Sequence, residues 1–219
     1  MSVLLIALLS VIIYSLTVCR LDVSFVQAIE IIINNLFGTV PERTEDYVGW
    51  WTNQVVVNDN VPRTIIGICT GAILAVCGAT MQSLTRNPLT DPYTIGISSA
   101  ALFGVTIAVI FELSIIPFLP YESSKIVNAF VFSLIPSMAI VFISSFKKTS
   151  PNMMILIGIA MMYVFSAFTT FLKFNADEAE VEEIYEWSLG SLNMAGWEAI
   201  PAMIGTTALL ILALMVLAN

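Results

Sequence analysis

The chain has 219 residues, of which 58% are hydrophobic and only 11% are charged, with 16 acidic, 8 basic and no histidine side chains. Soluble domains carry about 25% charged residues, so this composition excludes a soluble globular protein, a disordered chain and a nucleic-acid-binding protein. The lack of histidine also excludes histidine-based metal sites and catalytic dyads.

Charged residues are concentrated in a few parts of the chain. Six stretches are almost free of charge, and each has the length of about 20 residues with which a helix crosses a bilayer core. We therefore predict an all-α fold, a polytopic transmembrane helix bundle that forms a single domain over residues 1–219 and contacts membrane lipid. The predicted spans are residues 1–19, 62–85, 92–111, 126–146, 150–172 and 198–218.

The first part of the chain contains one predicted span and one predicted surface helix. Residues 1–19 begin without a charge and lack a small-residue cleavage site, which favours a retained span over a signal peptide. Residues 21–37 place apolar side chains at helical spacing between polar ones, which is typical of a helix at the membrane interface. Residues 38–49 are predicted to form a solvated loop, and the second span is predicted to begin near Pro62.

Small residues are frequent in the second and third predicted spans. Gly67 and Gly71 are four residues apart, a spacing that lets two helices approach closely. Gly78 in the same span, and Gly96 and Gly104 in the third, are assigned to helix packing for the same reason. This pattern marks packing more often than a substrate path.

A short polar turn joins these two spans. Pro88 and Pro92 stiffen it, and the Asn87 side chain can hydrogen-bond to nearby backbone groups. A rigid turn between closely packed helices is compatible with a gate and equally with a tight reversal of the chain, and the residue types alone do not choose between the two.

Basic residues in short turns set the predicted orientation. Loops with an excess of Lys and Arg lie in the cytoplasm. The short turns that carry Arg86, and Lys147 with Lys148, fall on the same side when spans alternate. We place both turns and the N-terminus in the cytoplasm, so that the acidic stretch 177–186 faces outward.

The source of energy for any transport is not visible in the chain. No ionisable side chain lies in the middle of a predicted span, whereas ion-coupled transporters usually carry one on their pathway. The chain also has no GxxxxGK[ST] phosphate-binding loop. These observations favour a transporter that is driven by another subunit. An ion-coupled secondary transporter is the alternative, and a non-transporting membrane scaffold is a third.

The sequence resembles the FecCD family, the membrane permeases of ABC importers for iron–siderophore complexes, haem and vitamin B12. Single motifs are weak, but they occur in the family's order over nearly the whole chain. The matching segments are Pro62-Arg63, Gly71-x-x-Leu74-Ala75, Gly78-Ala79, Gln82, Arg86-Asn87-Pro88-Leu89, Pro92, Ile95-Gly96-Ile97-Ser98, Ser150-Pro151, Ile157-Gly158-Ile159-Ala160, Trp187-x-x-Gly190-Ser191-Leu192 and Trp197.

The resemblance implies a transport subunit of the cytoplasmic (inner) membrane that is not an enzyme and holds no cofactor or metal. Its cargo would be an iron–siderophore or a related metal chelate, such as haem or cobalamin. Its partners would be a separate ABC ATPase subunit, an extracytoplasmic substrate-binding protein and a second permease copy, with the cargo path between the two permeases. Residues that match functional positions of the family are Arg63 for docking of the binding protein, and Asn87, Pro88 and Leu89 together with Ser150, Pro151 and Asn152 for the cytoplasmic gate.

Two departures from the family pattern are visible. The family's Arg-Leu-Pro-Arg segment reads Asn60-Val61-Pro62-Arg63 here, so docking would depend on Arg63 or on basic residues elsewhere. Family members have about ten spans and this sequence stops in the sixth, which predicts either a fragment or a truncated gene product. The loop that meets the ATPase would lie beyond the present residues, and the short chain alone is expected not to transport.

Overall fold

The computed structural model describes residues 2–18, 21, 23–38, 41, 46–146, 150–192 and 196–217. Over these residues the chain forms helices and turns and no strand, which confirms the predicted all-α membrane bundle. Lys147 and Lys148, on which the predicted orientation depends, lie outside the described residues. The chain divides into two compact units: Met1–Ile73 with Leu192–Asn219 form the first unit, and Leu74–Ser191 form the second.

The helices follow one another with short connections. In the first unit they are α1 (Ser2–Ser15), α2 (Phe25–Leu36), α3 (Tyr47–Gln54), a π-helical segment (Val55–Asn60) and α9 (Ile200–Leu217). α4 (Val61–Thr85) follows the π-helical segment and contains the point where the units divide. The second unit continues with a 3-10 turn (Pro92–Ile95), α5 (Ile97–Phe111), α6 (Tyr121–Phe146), α7 (Pro151–Phe174) and α8 (Glu178–Leu189).

Three helical stretches in the described residues are long and apolar enough to cross a membrane: Tyr47–Thr85, Tyr121–Phe146 and Pro151–Phe174. The other predicted spans correspond to shorter apolar helices, namely α1, α5 and α9. α5 has 15 residues and would extend about 22 Å, less than the hydrocarbon thickness of about 30 Å. The chain is therefore an integral membrane protein, and the number of crossings stays a prediction.

The structure agrees with the predicted surface helix of the first unit but not with the full length of the loop predicted after it. α2 lies inside the predicted segment 21–37 and starts with a capping box, in which Ser24 and Gln27 satisfy each other's backbone N–H groups. The predicted loop 38–49 is too long, because the Asp46 carboxylate accepts a hydrogen bond from the Gly49 N–H at 2.9 Å and begins α3. Residues 39–40 and 42–45 of this loop lie outside the described residues.

The helix that contains the second predicted span does not begin at Pro62. The helix is continuous from Tyr47 to Thr85, and Pro62 lies inside it. Proline has no N–H for the bond to residue i−4 and its ring clashes with that carbonyl group. A π-helical turn precedes it and relieves the conflict, since the Val61 N–H bonds to the Val56 carbonyl five residues earlier. Sequence patterns place a helix start at proline by default, and here a π-turn overrides that default.

Two glycine contacts fix the packing of the second unit. A Cβ atom on Gly104 of α5 would lie 2.5 Å from the Asn128 carbonyl oxygen of α6, so the two backbones touch at this point. Gly96 has a φ of +81°, and a Cβ there would lie 2.9 Å from the Gly158 carbonyl oxygen of α7. A Cβ on Gly158 would in turn lie 2.5 Å from the Thr94 carbonyl oxygen. α5 thus packs closely on α6, and its start packs closely on α7.

The acidic stretch after α7 is a helix, α8, which the sequence analysis treated only as an outward-facing polar segment. The Asp177 carboxylate accepts the Glu180 N–H, and the Glu180 carboxylate accepts the Asp177 N–H, which together form a capping box. Ile184 of α8 is fully buried against Val105 and Val109 of α5. α8 is therefore packed against α5 along one side.

Candidate functional site

The turn at Asn87-Pro88-Leu89 is held by its own hydrogen bonds. The Asn87 side-chain oxygen accepts the Leu89 N–H at 3.0 Å, and the Gln82 side-chain amide donates to the Pro88 carbonyl at 3.2 Å. Arg86 adopts a left-handed backbone with a φ of +50° and ends the preceding helix. The Leu89 side chain is 88% exposed. The turn is thus rigid and presents an apolar side chain outward.

A buried hydroxyl pair closes this turn on its inner side. The Thr85 hydroxyl donates to the Thr90 hydroxyl at 3.0 Å, and both side chains are buried. Next to this pair, side chains of α4, the 3-10 turn, α6 and α7 enclose a void of only about 10 Å³. Such a volume is at the limit for one water molecule. The described side chains beside this pair are therefore closely packed.

The other predicted gate segment is the start of α7. The Ser150 hydroxyl accepts the Met153 N–H at 3.3 Å and caps the helix, with Pro151 at its first turn. Ser150 and Asn152 are exposed. The described contacts of Ser150 lie within its own turn, so the assignment of residues 150–152 to a gate stays a prediction, as does that of residues 87–89.

Arg63 lies in the first unit, inside a helix rather than at a helix end, where the sequence analysis had placed it. Its side chain is half-buried, and its Nε atom has no hydrogen-bond partner among the described residues. It borders a groove of about 670 Å³ whose other lining residues come mainly from the apolar sides of α1 and α4. The docking role of Arg63 stays a prediction, with a less exposed side chain than expected.

The glycines assigned to packing have different surroundings. Gly96 and Gly104 lie at the backbone contacts of the second unit described above. A Cβ on Gly67 would meet only the Leu192 side chain, at 3.7 Å, and Gly67 and Gly71 both border the groove beside Arg63. A Cβ on Gly71 or Gly78 would meet no atom of the described residues within 4 Å. These two positions leave room for a further helix or for lipid.

An ion cluster that was not predicted from the sequence surrounds the buried Lys125 side chain. We call Lys125, Glu122, Glu183 and Tyr121 the Lys125 cluster. The Lys125 ammonium lies 2.6 Å from the Glu183 carboxylate of α8 and 2.9 Å from that of Glu122. The Tyr121 hydroxyl donates to Glu183 at 3.0 Å, and Lys125 lies over the Tyr121 ring. The cluster ties α8 to the first turn of α6.

The cluster was not predicted because the start of the fourth span was placed after Lys125. The fourth span was predicted to begin at residue 126, whereas α6 begins at Tyr121 and includes Lys125 on its buried side. A lysine just outside a predicted span is normally interpreted as an anchor at the membrane surface. The partner of Lys125, Glu183 in α8, is far away in the sequence. In the part of the chain that the structure describes, no group of three Cys, Asp or Glu side chains is arranged to hold a metal ion.

These features define the class of the protein: an integral membrane bundle in which a hydrogen-bonded turn joins α4 to the 3-10 turn before α5. The model of the FecCD transport family matches residues 5–219, and the chain belongs to this family. The chain is also similar to a solved structure of a metal-chelate type ABC transporter in an inward-facing conformation, with a TM-score of 0.69 and 29% identity over 94% of this chain and 57% of that one.

Two curated relatives show the range of the family. The chain is 34% identical over 144 residues to the hemin transport permease of Yersinia pestis. The aligned residues cover 66% of this chain and 43% of the relative. It is 35% identical over 150 residues to the molybdate import permease of Haemophilus influenzae. The aligned residues cover 67% of this chain and 42% of the relative. The chain thus spans less than half the length of these relatives.

Proposed function

We propose that this chain is part of the membrane-spanning permease subunit of an ATP-driven importer in the cytoplasmic membrane. It carries an iron–siderophore or a related metal chelate, such as haem or cobalamin. The observation that supports this most directly is the match of 94% of the chain to a metal-chelate type ABC transporter at a TM-score of 0.69. The chain itself catalyses no reaction, and ATP is hydrolysed by a separate partner subunit.

In this proposal the turn at residues 87–89 and the start of α7 at residues 150–152 form the cytoplasmic gate. A gate has to hold its shape while neighbouring helices move, and it has to exclude water and cargo when closed. The hydrogen bonds of Asn87 and Gln82 and the cap at Ser150 supply the first property. The packed region around Thr85 and Thr90 supplies the second.

Arg63 is the proposed contact for an extracytoplasmic binding protein with an acidic docking surface. Its half-buried position makes charge reversal a poor test, because a carboxylate would be forced against the apolar groove. Arg63→Gln keeps the size and removes the charge. We expect weaker capture of the binding protein by membranes that contain this variant, with normal capture by Arg86→Gln as the control. Equal capture by both variants would show that Arg63 does not take part in docking.

The cargo can be tested by competition. Membrane vesicles are prepared with the permease as its natural polypeptide, its ATPase and its binding protein, and uptake of a labelled iron chelate is measured. We expect uptake that is reduced by an excess of unlabelled chelate and unaffected by an excess of molybdate. Competition by molybdate alone would assign the protein to the oxyanion carriers of the family. Loss of uptake in an Asn87→Ala variant that still assembles would support the gate.

A further inference from the structure

The π-helical segment before Pro62 leaves one backbone carbonyl group without its usual donor. The Val61 N–H bonds to the Val56 carbonyl five residues earlier, and in this register the Val57 carbonyl would be bonded by the N–H of residue 62. Residue 62 is proline, which has no N–H. Because an unpaired backbone carbonyl group is costly where water has little access, a donor from elsewhere in the chain would stabilise this turn.

The indole of Trp197 is that donor. Its N–H donates to the Val57 carbonyl oxygen at 3.0 Å, across 140 positions of the chain. Trp197, Val57 and Pro62 belong to the same compact unit. The sequence analysis names Pro62 and Trp197 as separate motif residues without a joint role. The bond connects them, since one residue removes a donor from the turn and the other supplies one.

The π-helical turn also fixes the direction of Arg63. A π-helical turn adds one residue to a helix, and one residue corresponds to a rotation of about 100° and a rise of about 1.5 Å. Before the turn, the Asn35 amide of α2 donates to the buried Asn53 side chain. After the turn, the Thr64 hydroxyl lies 2.7 Å from the Ser15 hydroxyl of α1. Loss of the extra residue would rotate these contacts against each other, and Arg63 would turn with them.

We propose that Trp197 is a positioning residue for docking of the binding protein. Its indole N–H replaces the donor that Pro62 lacks, stabilises the π-helical turn and thereby sets the direction of the Arg63 side chain. The inference rests on the proposed docking role of Arg63 and adds to it a residue from a distant part of the sequence. It has one specific consequence: a backbone N–H at position 62 would make the indole bond dispensable.

A double-mutant cycle tests the indole bond independently of docking. Trp197→Phe removes the donor and keeps an aromatic ring, and Pro62→Ala supplies a backbone N–H five residues after Val57. We expect Trp197→Phe to lower the midpoint of unfolding in sodium dodecyl sulfate when residue 62 is proline, and to have little effect when it is alanine. The control is Trp51→Phe, at a tryptophan of the same unit with the same exposed fraction of 47%, which should behave alike in both backgrounds. Equal effects of Trp197→Phe in the two backgrounds would overturn the proposal.

Uptake by the assembled importer tests the positioning of Arg63. Uptake of a labelled iron chelate is measured in vesicles with the natural permease polypeptide and its ATPase, over a range of binding-protein concentrations. We expect Trp197→Phe to raise the concentration for half-maximal uptake about threefold, as one hydrogen bond would, with the maximal rate unchanged. A misdirected Arg63 weakens docking and not the later steps, so Arg63→Gln should change the same quantity by more. Pro62→Ala in the Trp197→Phe chain should restore the original concentration.

The outcomes separate this inference from the proposed function. A docking defect of Trp197→Phe that persists with Pro62→Ala would show that the indole contacts the partner directly, and would refute the positioning role. Pro62→Ala alone weakening docking as much as Trp197→Phe would assign the turn to the proline and refute it as well. If Arg63→Gln docks normally, the proposed docking role fails and the positioning role fails with it, whatever the unfolding cycle shows for the indole bond.

Discussion

The two units of the chain are stabilised in different ways. In the second unit, α5 is buried over much of its length, its backbone touches α6 at Gly104, and an ion cluster ties α8 to α6. In the first unit, α1 has no buried residue and α2 buries only Ala28. The first unit has a small apolar cluster around Val23, Ala28 and Val56, together with isolated polar bonds such as that from the Trp197 indole N–H to the Val57 carbonyl at 3.0 Å.

The difference shows what organises helices in a membrane. Lipid covers an apolar helix as well as another helix does, so apolar character alone does not bring helices together. Close backbone contact at small residues and buried polar bonds do, and the second unit has both. α1 is apolar but makes few such contacts, and its exposed side is left for lipid or for further helices to cover.

The largest expected effect is at the backbone contact of α5 and α6. Gly104→Ala places a Cβ atom 2.5 Å from a carbonyl oxygen, so the helices have to separate, at a cost of about 3 kcal/mol. Gly78→Ala, where a Cβ meets open space, is the matched control and should not destabilise the protein. Unfolding by sodium dodecyl sulfate in mixed micelles measures both. Similar unfolding midpoints for the two variants would show that the contact of Gly104 with the α6 backbone does not stabilise the second unit.

The Lys125 cluster gives the next effect. Lys125→Met leaves the Glu183 carboxylate without its main partner, and we expect a loss of about 2 kcal/mol because Glu183 remains partly exposed. Hydrogen exchange of the α8 amides should become faster, since α8 loses its tie to α6. Glu122→Gln, at an exposed carboxylate, serves as the control with little change. Slow exchange of α8 in Lys125→Met would mean that apolar packing at Ile184 alone holds the helix.

The sequence predicts the features of the fold that depend on neighbouring residues, and it does not predict contacts between residues that are far apart in the chain. Gaps between charges locate the apolar helices, because burial in lipid depends on the local sequence. The contact of Gly96 with Gly158 and the pairing of Lys125 with Glu183 join residues about 60 positions apart, and no local pattern specifies them. α8 is a different case, since the Asp177 and Glu180 capping box was present in the sequence and could have predicted the helix.

The candidate site shows the same limit. Asn87 and the two prolines predict a rigid turn, and the turn is held by hydrogen bonds within six residues. The small void beside Thr85 and Thr90 is enclosed by residues of α4, α6 and α7, so its size depends on how these distant segments pack. Arg63 was expected at a helix end because Pro62 precedes it, and the π-helical turn before Pro62 removes that end.

A smaller effect is expected in the first unit. The buried Asn60 side-chain amide donates to the Leu16 carbonyl at 2.9 Å and ties the end of α1 to the long helix. Asn60→Ala should cost about 1.5 kcal/mol, because the carbonyl group loses its partner. Limited proteolysis in detergent after α1 reports the loosening, with the exposed Asn58→Ala as the control. Equal resistance to proteolysis in the two variants would show that α1 is held by other contacts.

The smallest effect is expected at the cap of α7. Ser150→Ala removes the hydroxyl that accepts the Met153 N–H and should cost about 1 kcal/mol. Ser150→Asp keeps an acceptor at the cap and should restore most of the stability. Thermal unfolding of the three proteins in one detergent compares them. A Ser150→Asp variant no more stable than Ser150→Ala would indicate that the hydroxyl acts through something other than capping.

The energy source of transport tests the central claim most directly, because it separates an ABC permease from an ion-coupled carrier. Chelate uptake is measured in vesicles that contain the natural permease polypeptide, its ATPase and its binding protein, either with ATP inside and ionophores that collapse all ion gradients, or with ion gradients and no ATP. We predict uptake in the first condition and none in the second. Uptake that follows the ion gradient and ignores ATP would contradict the account.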